Sequence, residues 1–255
     1  MSIVIKSDRE IALMRQAGRI VAMVLEVLRS RIKVGMRTAE LDVIVAEETE
    51  RLGARPSFKG YRGFPGNLCV SVNDEIVHGI PGERVLCDGD IVSLDFGAIY
   101  RGFQGDAAIT VGVGTISLKA KKLIDTTEGA LKAGVAAARA GARLGDISAA
   151  IEHHAESKGY SVVREYTGHG IGRKMHEDPQ VPNSTAPAFG LVAGAGPELL
   201  KGMTLALEPM VNIGDCGTKR DDDRWTVRTR DGSLSAHFEH TIAITDDEPE
   251  VLTST

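Results

Sequence analysis

The chain has 255 residues, of which 42% are hydrophobic and 25% are charged. This length can bury a sizeable core, and this composition excludes a disordered chain and a membrane-spanning one. A net charge of −5 excludes a broad basic surface for sequence-specific nucleic-acid binding. We therefore expect one globular domain that covers residues 1–255.

The cysteines and the N-terminus indicate the compartment. Cys69, Cys87 and Cys216 are odd in number and form no C-x-x-C pair, so neither a disulfide framework nor a zinc ribbon is expected. The apolar stretch at 20–28 contains Glu26 and follows a charged run, unlike a signal peptide or a transmembrane helix. These features predict a cytoplasmic protein without membrane contact.

Two helices are predicted near the N-terminus. Apolar residues recur at helical spacing over 11–28, which indicates an amphipathic helix. A second helix is predicted over 38–52, with Thr38 as its N-cap and Gly53 at its end.

A second helix pair is predicted at 117–140 and 147–158. The segment 186–196 is rich in alanine, glycine and proline, which predicts an exposed loop. Strands are predicted at 69–72, 91–96, 107–113, 204–210, 225–229 and 238–244. The order helix, helix, strands occurs twice. We interpret it as a pseudo-duplicated α+β domain, with halves at roughly 1–115 and 116–255 and helices outside a curved, largely antiparallel sheet.

Five potential metal ligands lie in apolar or glycine-rich settings. They are Asp95, Asp106, His169, Glu208 and Glu239. An unpaired charge in such a setting is costly unless a cation binds beside it. A short hairpin would place Asp95 and Asp106 at facing positions on one sheet face. Oxygen-rich ligation with one imidazole suits manganese, iron, cobalt or zinc better than calcium.

The ligand set predicts two divalent ions that share a water molecule. Such a pair lowers the pKa of the water toward neutrality and serves amide hydrolysis or phosphoryl transfer. No G-x-x-x-x-G-K-[ST] phosphate-binding motif is present, which favours peptide hydrolysis. A single strand-end Asp would equally fit a turn cap, and a single His a satisfied polar residue, so the prediction depends on the whole set.

Four motifs resemble those of the compact bacterial type I methionine aminopeptidases, in peptidase family M24. They lie at 71–81, 95–106, 167–172 and 237–241, and the similarity extends from the first helix to Thr245. The resemblance implies the pita-bread fold. It also implies removal of the N-terminal methionine from nascent proteins whose second residue is small.

The same resemblance implies a role for each ligand. Asp95, Asp106 and Glu239 would hold the paired metals, with Asp106 and Glu239 as bridges. His169 and Glu208 would complete the shell of one metal. A monovalent cation is also implied.

Further implied roles concern the reaction and the substrate. Glu208 would shuttle the proton, while His78 and His176 would hydrogen-bond the substrate and stabilise the oxyanion. The residues expected to contact the substrate are Phe58, Tyr61, Phe64, Cys69, His78, His176 and Trp225. Phe58 departs from the smaller residue of several relatives, and the segment 183–202 is longer than in compact ones.

The predicted partners are nascent polypeptides and, transiently, the ribosome, with the protein a monomer. Two alternatives stay open. An Xaa-Pro aminopeptidase or prolidase shares the fold and the five ligands, but it usually carries a separate N-terminal domain. A non-catalytic binding protein of the same fold typically lacks one or more ligands, whereas all five are present here.

Overall fold

The computed structural model describes residues 2–186 and 190–255. Its helices are α1 (Asp8–Arg31), α2 (Thr38–Arg51), α3 (Leu118–Ala137) and α4 (Leu144–Glu156), with a 3₁₀ turn at Tyr61–Gly63. Its strands are β1 (Arg55–Pro56), β2 (Cys69–Val72), β3 (Glu75–Val77), β4 (Ile91–Tyr100), β5 (Phe103–Gly112), β6 (Ser161–Val162), β7 (Thr167–Gly170), β8 (Glu177–Pro182), β9 (Thr204–Leu207), β10 (Met210–Asn212), β11 (Thr218–Arg220), β12 (Val227–Thr229), β13 (Ser235–His237), β14 (Glu239–Ala243) and β15 (Glu250–Val251). None of the helices in these residues is long and apolar enough to cross a bilayer.

Helix α1 confirms the first predicted helix. It begins at a capping box, in which the Glu10 amide donates to the Ser7 hydroxyl and the Ser7 amide donates to the Glu10 carboxylate. Its apolar stripe packs on β4 and β5. Gly18 lies on that stripe, where the helix approaches the sheet closely.

Thr38 is not the cap of α2, so that prediction was wrong. Arg37 is the N-cap, and its amide donates to the Glu40 carboxylate at 2.7 Å. The Thr38 hydroxyl instead donates to the Gly82 carbonyl at 3.0 Å, which ties the helix to a distant loop. Gly53 ends the helix as predicted, with the positive φ of 71° that glycine tolerates.

The second helix pair is confirmed with shifted boundaries: α3 ends at Ala137 rather than at 140, and α4 ends at Glu156 rather than at 158. Helix α4 begins at Leu144 rather than at 147, because the Arg143 amide donates to the Asp146 carboxylate at 2.8 Å and so closes the first turn. Ser117 caps α3 through a bond from the Ala120 amide at 3.1 Å.

The main sheet has nine strands, and every pairing in it is antiparallel. Its order is β1, β4, β5, β14, β9, β7, β8, with β2 also paired to β4 and β15 to β14. Two three-stranded sheets, β13-β10-β6 and β11-β12-β3, adjoin it. The antiparallel sheet with helices packed on it agrees with the predicted α+β class.

Only the strand predicted at 69–72 keeps its bounds in the structure, and β4 extends to Tyr100 while β5 already begins at Phe103. The segment at 204–210 is interrupted between β9 and β10 by Glu208 and Pro209, since proline has no amide hydrogen for the ladder. The segment at 238–244 is not the last strand, because β15 follows it and pairs with it.

The core lies between the sheet and the helices. One cluster joins Val24 and Leu28 of α1 to Leu94 of β4, and a second joins Ile151 of α4 to Ile242 of β14. The other face of the sheet, which points away from these helices, can therefore carry polar side chains.

The predicted loop at 186–196 is largely exposed over 190–196. Ala186 and Leu191 form an isolated antiparallel bridge across it. Residues 187–189 lie outside the described part of the chain.

Candidate active site

A tight hairpin carries the first two carboxylates. β4 and β5 are joined through Arg101 and Gly102, both with positive φ, which matches the twist of a two-residue hairpin. Asp95 is paired with Ala108, and Asp106 is paired with Gly97. The two carboxylates are therefore on one face but diagonal, two residues apart, and the prediction of directly facing positions was wrong.

The register extends this face across four strands. Cys69 of β2 is opposite Asp95 of β4, which is opposite Ala108 of β5, which in turn is opposite Glu239 of β14. Residues opposite one another in an antiparallel sheet point to the same side. The small side chain of Ala108 leaves space between Asp95 and Glu239, and Asp106 borders that space two residues along β5.

Strand β7 brings the imidazole to the same place. His169 is paired with Ala206 of β9, and ligand atoms of Asp106, His169 and Glu239 all lie within 4.8 Å of one another. Glu208 follows directly after β9, and its Oε1 is 3.6 Å from Nε2 of His169. The five residues predicted to bind metal are thus brought together.

The ring orientation of His169 suits a ligand. Its Nδ1–H donates to the Gly170 carbonyl at 2.8 Å, so Nε2 faces the carboxylates. Burial lowers the pKa of His169 to about 3, so the ring is neutral and Nε2 has a free lone pair.

The carboxylates have oxygens that no protein group satisfies. Asp95 Oδ1, Asp106 Oδ1 and Glu239 Oε1 are buried without a hydrogen-bond partner. Buried acceptors of this kind are uncommon, and each costs about 1–3 kcal/mol if nothing binds it. Four carboxylates and one neutral imidazole fit a pair of divalent cations in charge and in ligand type.

Without bound cations, the folded protein disfavours the ionised form of these acids. Burial raises the pKa of Asp95 to about 7, and a thiol hydrogen bond from Cys69 opposes that shift. Burial and then the neighbouring carboxylates raise the pKa values of Asp106, Glu208 and Glu239 well above their ordinary range. Cations among them would offset the repulsion and keep all four ionised.

A pocket of about 140 Å³ opens above the carboxylates. It is lined by Phe58, Tyr61, Arg62, Phe64, Cys69, His78, Asp95, Asp106, His169, Met175, His176, Glu208, Trp225 and Glu239. Every residue predicted to act at the site lies in this lining.

The apolar wall of the pocket is built from ring contacts. Phe64 meets Trp225 edge to face at 5.1 Å, and Trp225 meets His78 at 6.3 Å between ring centroids. Phe58 reaches the sheet because position 97 is glycine, where a Cβ would be only 2.9 Å from its ring. Phe58 therefore packs against β4 in the wall of the pocket.

Arg228 fixes the hairpin next to Trp225. Its guanidinium donates to Asp221 at 2.6 Å, to Asp74 at 2.9 Å and to Glu75 at 2.7 Å. These bonds tie β12 to β3, the strand that precedes His78. These ion pairs, which lie outside the pocket, thus keep the Trp225 and His78 rings close to each other.

The two predicted non-ligand histidines both line the pocket and differ in their surroundings. His78 adopts a left-handed backbone conformation with φ of 61°, and burial lowers its pKa to about 4. His176 is at the exposed mouth, where its ring stacks on Tyr61 at 5.5 Å and its Nδ1 hydrogen-bonds the Tyr61 hydroxyl at 2.8 Å. Its ring centroid is 4.1 Å from that of His169.

The sequence reasoning missed two residues of the lining, Arg62 and Met175. Each adjoins a predicted residue, Tyr61 and His176 respectively. Met175 is a buried apolar residue among exposed charged ones, and that contrast was the available signal. Arg62 had no comparable signal, since an exposed arginine in a loop is ordinary.

Known proteins resemble the chain over almost its whole length. The sequence profile described as Metallopeptidase family M24 matches residues 12–246. A methionine aminopeptidase of Clostridium acetobutylicum is 52% identical, over 98% of this chain and 98% of that protein. Methionine aminopeptidase 1 of Bacillus subtilis is also 52% identical, over 98% of this chain and 99% of that protein.

Solved structures extend the comparison to the fold. A methionine aminopeptidase of Thermotoga maritima superposes with a TM-score of 0.96 at 45% identity, covering 100% of both chains. A prolidase of Pyrococcus furiosus superposes with a TM-score of 0.77, but at 21% identity and over 66% of its own length. The prolidase likeness therefore supports the shared pita-bread fold alone.

These findings separate the alternatives left by the sequence. The prolidase has about a third of its chain outside the match, as expected for an enzyme with an additional domain. The full-length matches at 52% identity are methionine aminopeptidases. The chain belongs to metallopeptidase family M24, among the compact bacterial type I methionine aminopeptidases.

Proposed function

We propose that this protein removes the N-terminal methionine from nascent polypeptides whose second residue is small. The observation that carries the proposal is the ligand cluster of Asp106, His169 and Glu239, whose ligand atoms lie within 4.8 Å of one another at the base of an apolar pocket. The relatives at 52% identity are methionine aminopeptidases, which supports this choice of substrate.

We propose Asp95, Asp106, His169, Glu208 and Glu239 as the ligands of two divalent ions. When bound, such ions supply Lewis-acid activation of a water molecule near neutral pH. Asp106 and Glu239, whose ligand atoms lie within 4.8 Å of each other and of His169, would be the ligands shared by the two ions, as the family resemblance implies. The choice among cobalt, manganese, iron and zinc stays a prediction.

The proton steps are assigned to Glu208. Its carboxylate is beside the ligand cluster, 3.6 Å from His169. It would take a proton from the attacking water and pass it to the amine that leaves when the first peptide bond breaks. Beside bound cations this carboxylate would be ionised, as a group that accepts the proton from water must be.

The two histidines and the apolar wall orient the substrate. His78 and His176 would donate hydrogen bonds to the carbonyl oxygen of the first residue as it becomes tetrahedral. Phe58, Tyr61, Phe64, Cys69 and Trp225 would enclose the flexible methionine side chain. The free α-amine would face the carboxylates, so that only the first residue fits.

The test is reconstitution of metal-free protein with Mn²⁺, Fe²⁺, Co²⁺ or Zn²⁺ under anaerobic conditions. Release of methionine from Met-Ala-Ser, with Ala-Pro-Ala left intact, is the expected result. Cleavage of Ala-Pro-Ala would move the chain to the prolidase branch. No turnover with any metal would favour the non-catalytic alternative.

Three further assignments complete the proposal. One catalytic domain over 1–255, with halves at 1–115 and 116–255, is supported by the pairing of β5 with β14 in one continuous sheet. A cytoplasmic location is supported by three free cysteines. A monomer, transient ribosome contact and a monovalent cation stay predictions.

A further inference from the structure

Arg62 lies at the mouth of the pocket. Among the described residues that line the pocket, it is the one side chain with a permanent positive charge. The residue is exposed, and its guanidinium carbon lies 5.4 Å from the centroid of the Tyr61 ring. Over the described part of the chain, the guanidinium has no carboxylate partner and no hydrogen bond. It is free to bind an anion that arrives from solution.

The backbone holds Arg62 in place at a conformational cost. Its φ is 49° and ψ is 22°, in the left-handed region that a side chain with a Cβ disfavours. The loop around it is closed by a bond from the Gly60 amide to the Phe64 carbonyl at 2.8 Å and by one from Tyr61 to Phe58 at 2.9 Å. Strain that brings no internal bond to the side chain points to a role outside the fold.

In the proposed binding mode, the substrate chain passes Arg62. The α-amine and the methionine side chain occupy the base and the apolar wall, so the rest of the peptide must leave by the mouth. Tyr61, Arg62 and His176 border that exit. The acids Asp95 and Asp106 are buried at the base, and bound cations would offset their charge.

We propose that Arg62 is a specificity residue, which selects peptides carrying a carboxylate shortly after the small second residue. The inference rests on the proposed function and adds a preference to it. The carboxylate is either an Asp or Glu side chain or the free C-terminus of a short peptide. In both cases the guanidinium provides a charge-assisted hydrogen bond at the exit.

The test compares three peptides of equal length with the metal-loaded enzyme. They are Met-Ala-Gln-Gly amide, Met-Ala-Glu-Gly amide and Met-Ala-Gln-Gly with a free C-terminus. A carboxylate is expected to lower KM by about two- to fivefold relative to the neutral amide, as for an exposed ion pair. An advantage in the Glu peptide assigns the preference to a side chain, and one in the free-acid peptide assigns it to the C-terminus.

The Arg62→Gln variant separates this role from general attraction by the surface. Its ratio of kcat/KM between the favoured acidic peptide and the neutral peptide is expected to approach one. The matched control is Lys59→Gln, which removes an equal charge from an exposed neighbour outside the pocket lining and is expected to keep the wild-type ratio. Raising the salt to 0.5 M should shrink the wild-type preference.

Three results would overturn the inference: equal KM for all three peptides, a preference that survives in Arg62→Gln, or one that disappears in Lys59→Gln. Each leaves the proposed function intact, provided that the neutral peptide still releases methionine. If the neutral peptide and the acidic peptides are all uncut, the proposed function itself fails. Isothermal titration with the acidic and neutral peptides, using metal-free protein, provides a readout that does not need turnover.

Discussion

The acids at the base of the pocket are costly to ionise in the folded protein when no cation is bound. Asp95 illustrates this best, since burial raises its pKa to about 7 from an ordinary value of 3.8. Between these two values the folded chain keeps a proton that the unfolded chain releases. The free energy of unfolding therefore falls as pH rises through this window, and below about pH 4 the difference disappears.

Asp95→Asn is therefore expected to stabilise the metal-free protein. At pH 8 the free energy of unfolding should rise by roughly 1–4 kcal/mol, because the amide need not ionise. The gain should shrink as pH falls toward 4, where wild-type Asp95 is protonated in both states. Urea unfolding at pH 5, 6.5 and 8 in the presence of a chelator measures it. Buried histidines, whose pKa values are lowered, affect both proteins alike and cancel in the difference.

The metal provides the counter-test for Asp95→Asn. With saturating Mn²⁺ the sign should reverse, since the variant has lost a ligand that the cation needs. Asp222→Asn is the matched control, because it removes an exposed loop carboxylate and should show neither effect. A metal-free Asp95→Asn protein that is no more stable than wild type at pH 8 would contradict the argument.

Glu208 is expected to matter more for the reaction than for the fold. Glu208→Gln keeps the size of the side chain but cannot carry the proton, so kcat should fall by about 10²- to 10⁴-fold. Stopped assays with Met-Ala-Ser, alongside calorimetric metal titration, separate lost proton transfer from lost metal. Glu26→Gln on the exposed face of α1 is the control. Retention of more than a tenth of wild-type kcat would remove Glu208 from the assigned role.

At the scale of elements, a buried ion pair joins the N-terminal segment to β8. The Lys6 ammonium donates to Glu177 Oε2 at 2.6 Å, with side-chain exposures of 3% and 10%. Glu177 also accepts a bond from the Lys174 amide at 3.1 Å, which steadies the loop that ends in His176. The pair thus connects the start of the chain to the pocket mouth.

Lys6→Met should destabilise the protein by about 3–5 kcal/mol, because it leaves Glu177 buried without its cation. Since Glu177 follows His176, KM for Met-Ala-Ser should rise as well. Urea unfolding and steady-state kinetics measure the two effects. Adding Glu177→Gln should recover part of the stability. Lys201→Met, which removes the cation of the exposed pair with Asp246, should leave the unfolding free energy nearly unchanged.

The elements that sequence reasoning predicted best are those set by local pattern. The first helix followed from apolar spacing, and the end of α2 at Gly53 followed from the positive φ that glycine allows. One error came from a distant contact and the other from the exact length of a turn. Thr38 bonds Gly82 rather than its own helix, and the diagonal register of Asp95 and Asp106 depends on the two-residue turn between their strands.

The candidate site was predictable from motifs more than from elementary patterns. Resemblance to a family directed attention to ligands such as Asp95 and Glu239, which the fold places in one row across four strands. Met175 was missed although an apolar residue among charged neighbours is a local signal. Arg62 was missed because nothing in the local sequence distinguishes it from an ordinary exposed arginine, although both residues lie in the same lining as their predicted neighbours.

At the scale of the whole molecule, a close backbone approach joins α1, β5 and the C-terminal segment. A Cβ added at Gly18 would be 2.2 Å from the Leu252 carbonyl oxygen, and one at Gly105 would be 2.7 Å from the Gly18 amide nitrogen. These neighbours are backbone atoms, so they cannot rotate away. The glycines therefore let the first helix lie against both the sheet and the end of the chain.

Gly18→Ala should lower the free energy of unfolding by about 1–3 kcal/mol, since the helix and the C-terminal segment at Leu252 must move apart to make room. Gly82→Ala is the matched control, because a Cβ there meets nothing within 4 Å and the φ is not in the left-handed region. Thermal and urea unfolding of the two variants provide the measurement. Equal stabilities would show that the close approach carries no energetic constraint.

The five proposed ligands come from or directly follow five separate strands, β4, β5, β7, β9 and β14, and this has a consequence for the life of the protein in a cell. Cations held by them bind the folded chain and not the unfolded one, which adds about 2.7 kcal/mol at a hundredfold excess over Kd. Proteases remove chains in proportion to how often they open. In a cell short of divalent metal, the protein would therefore be inactive and would also be degraded faster, so its abundance would follow the metal supply.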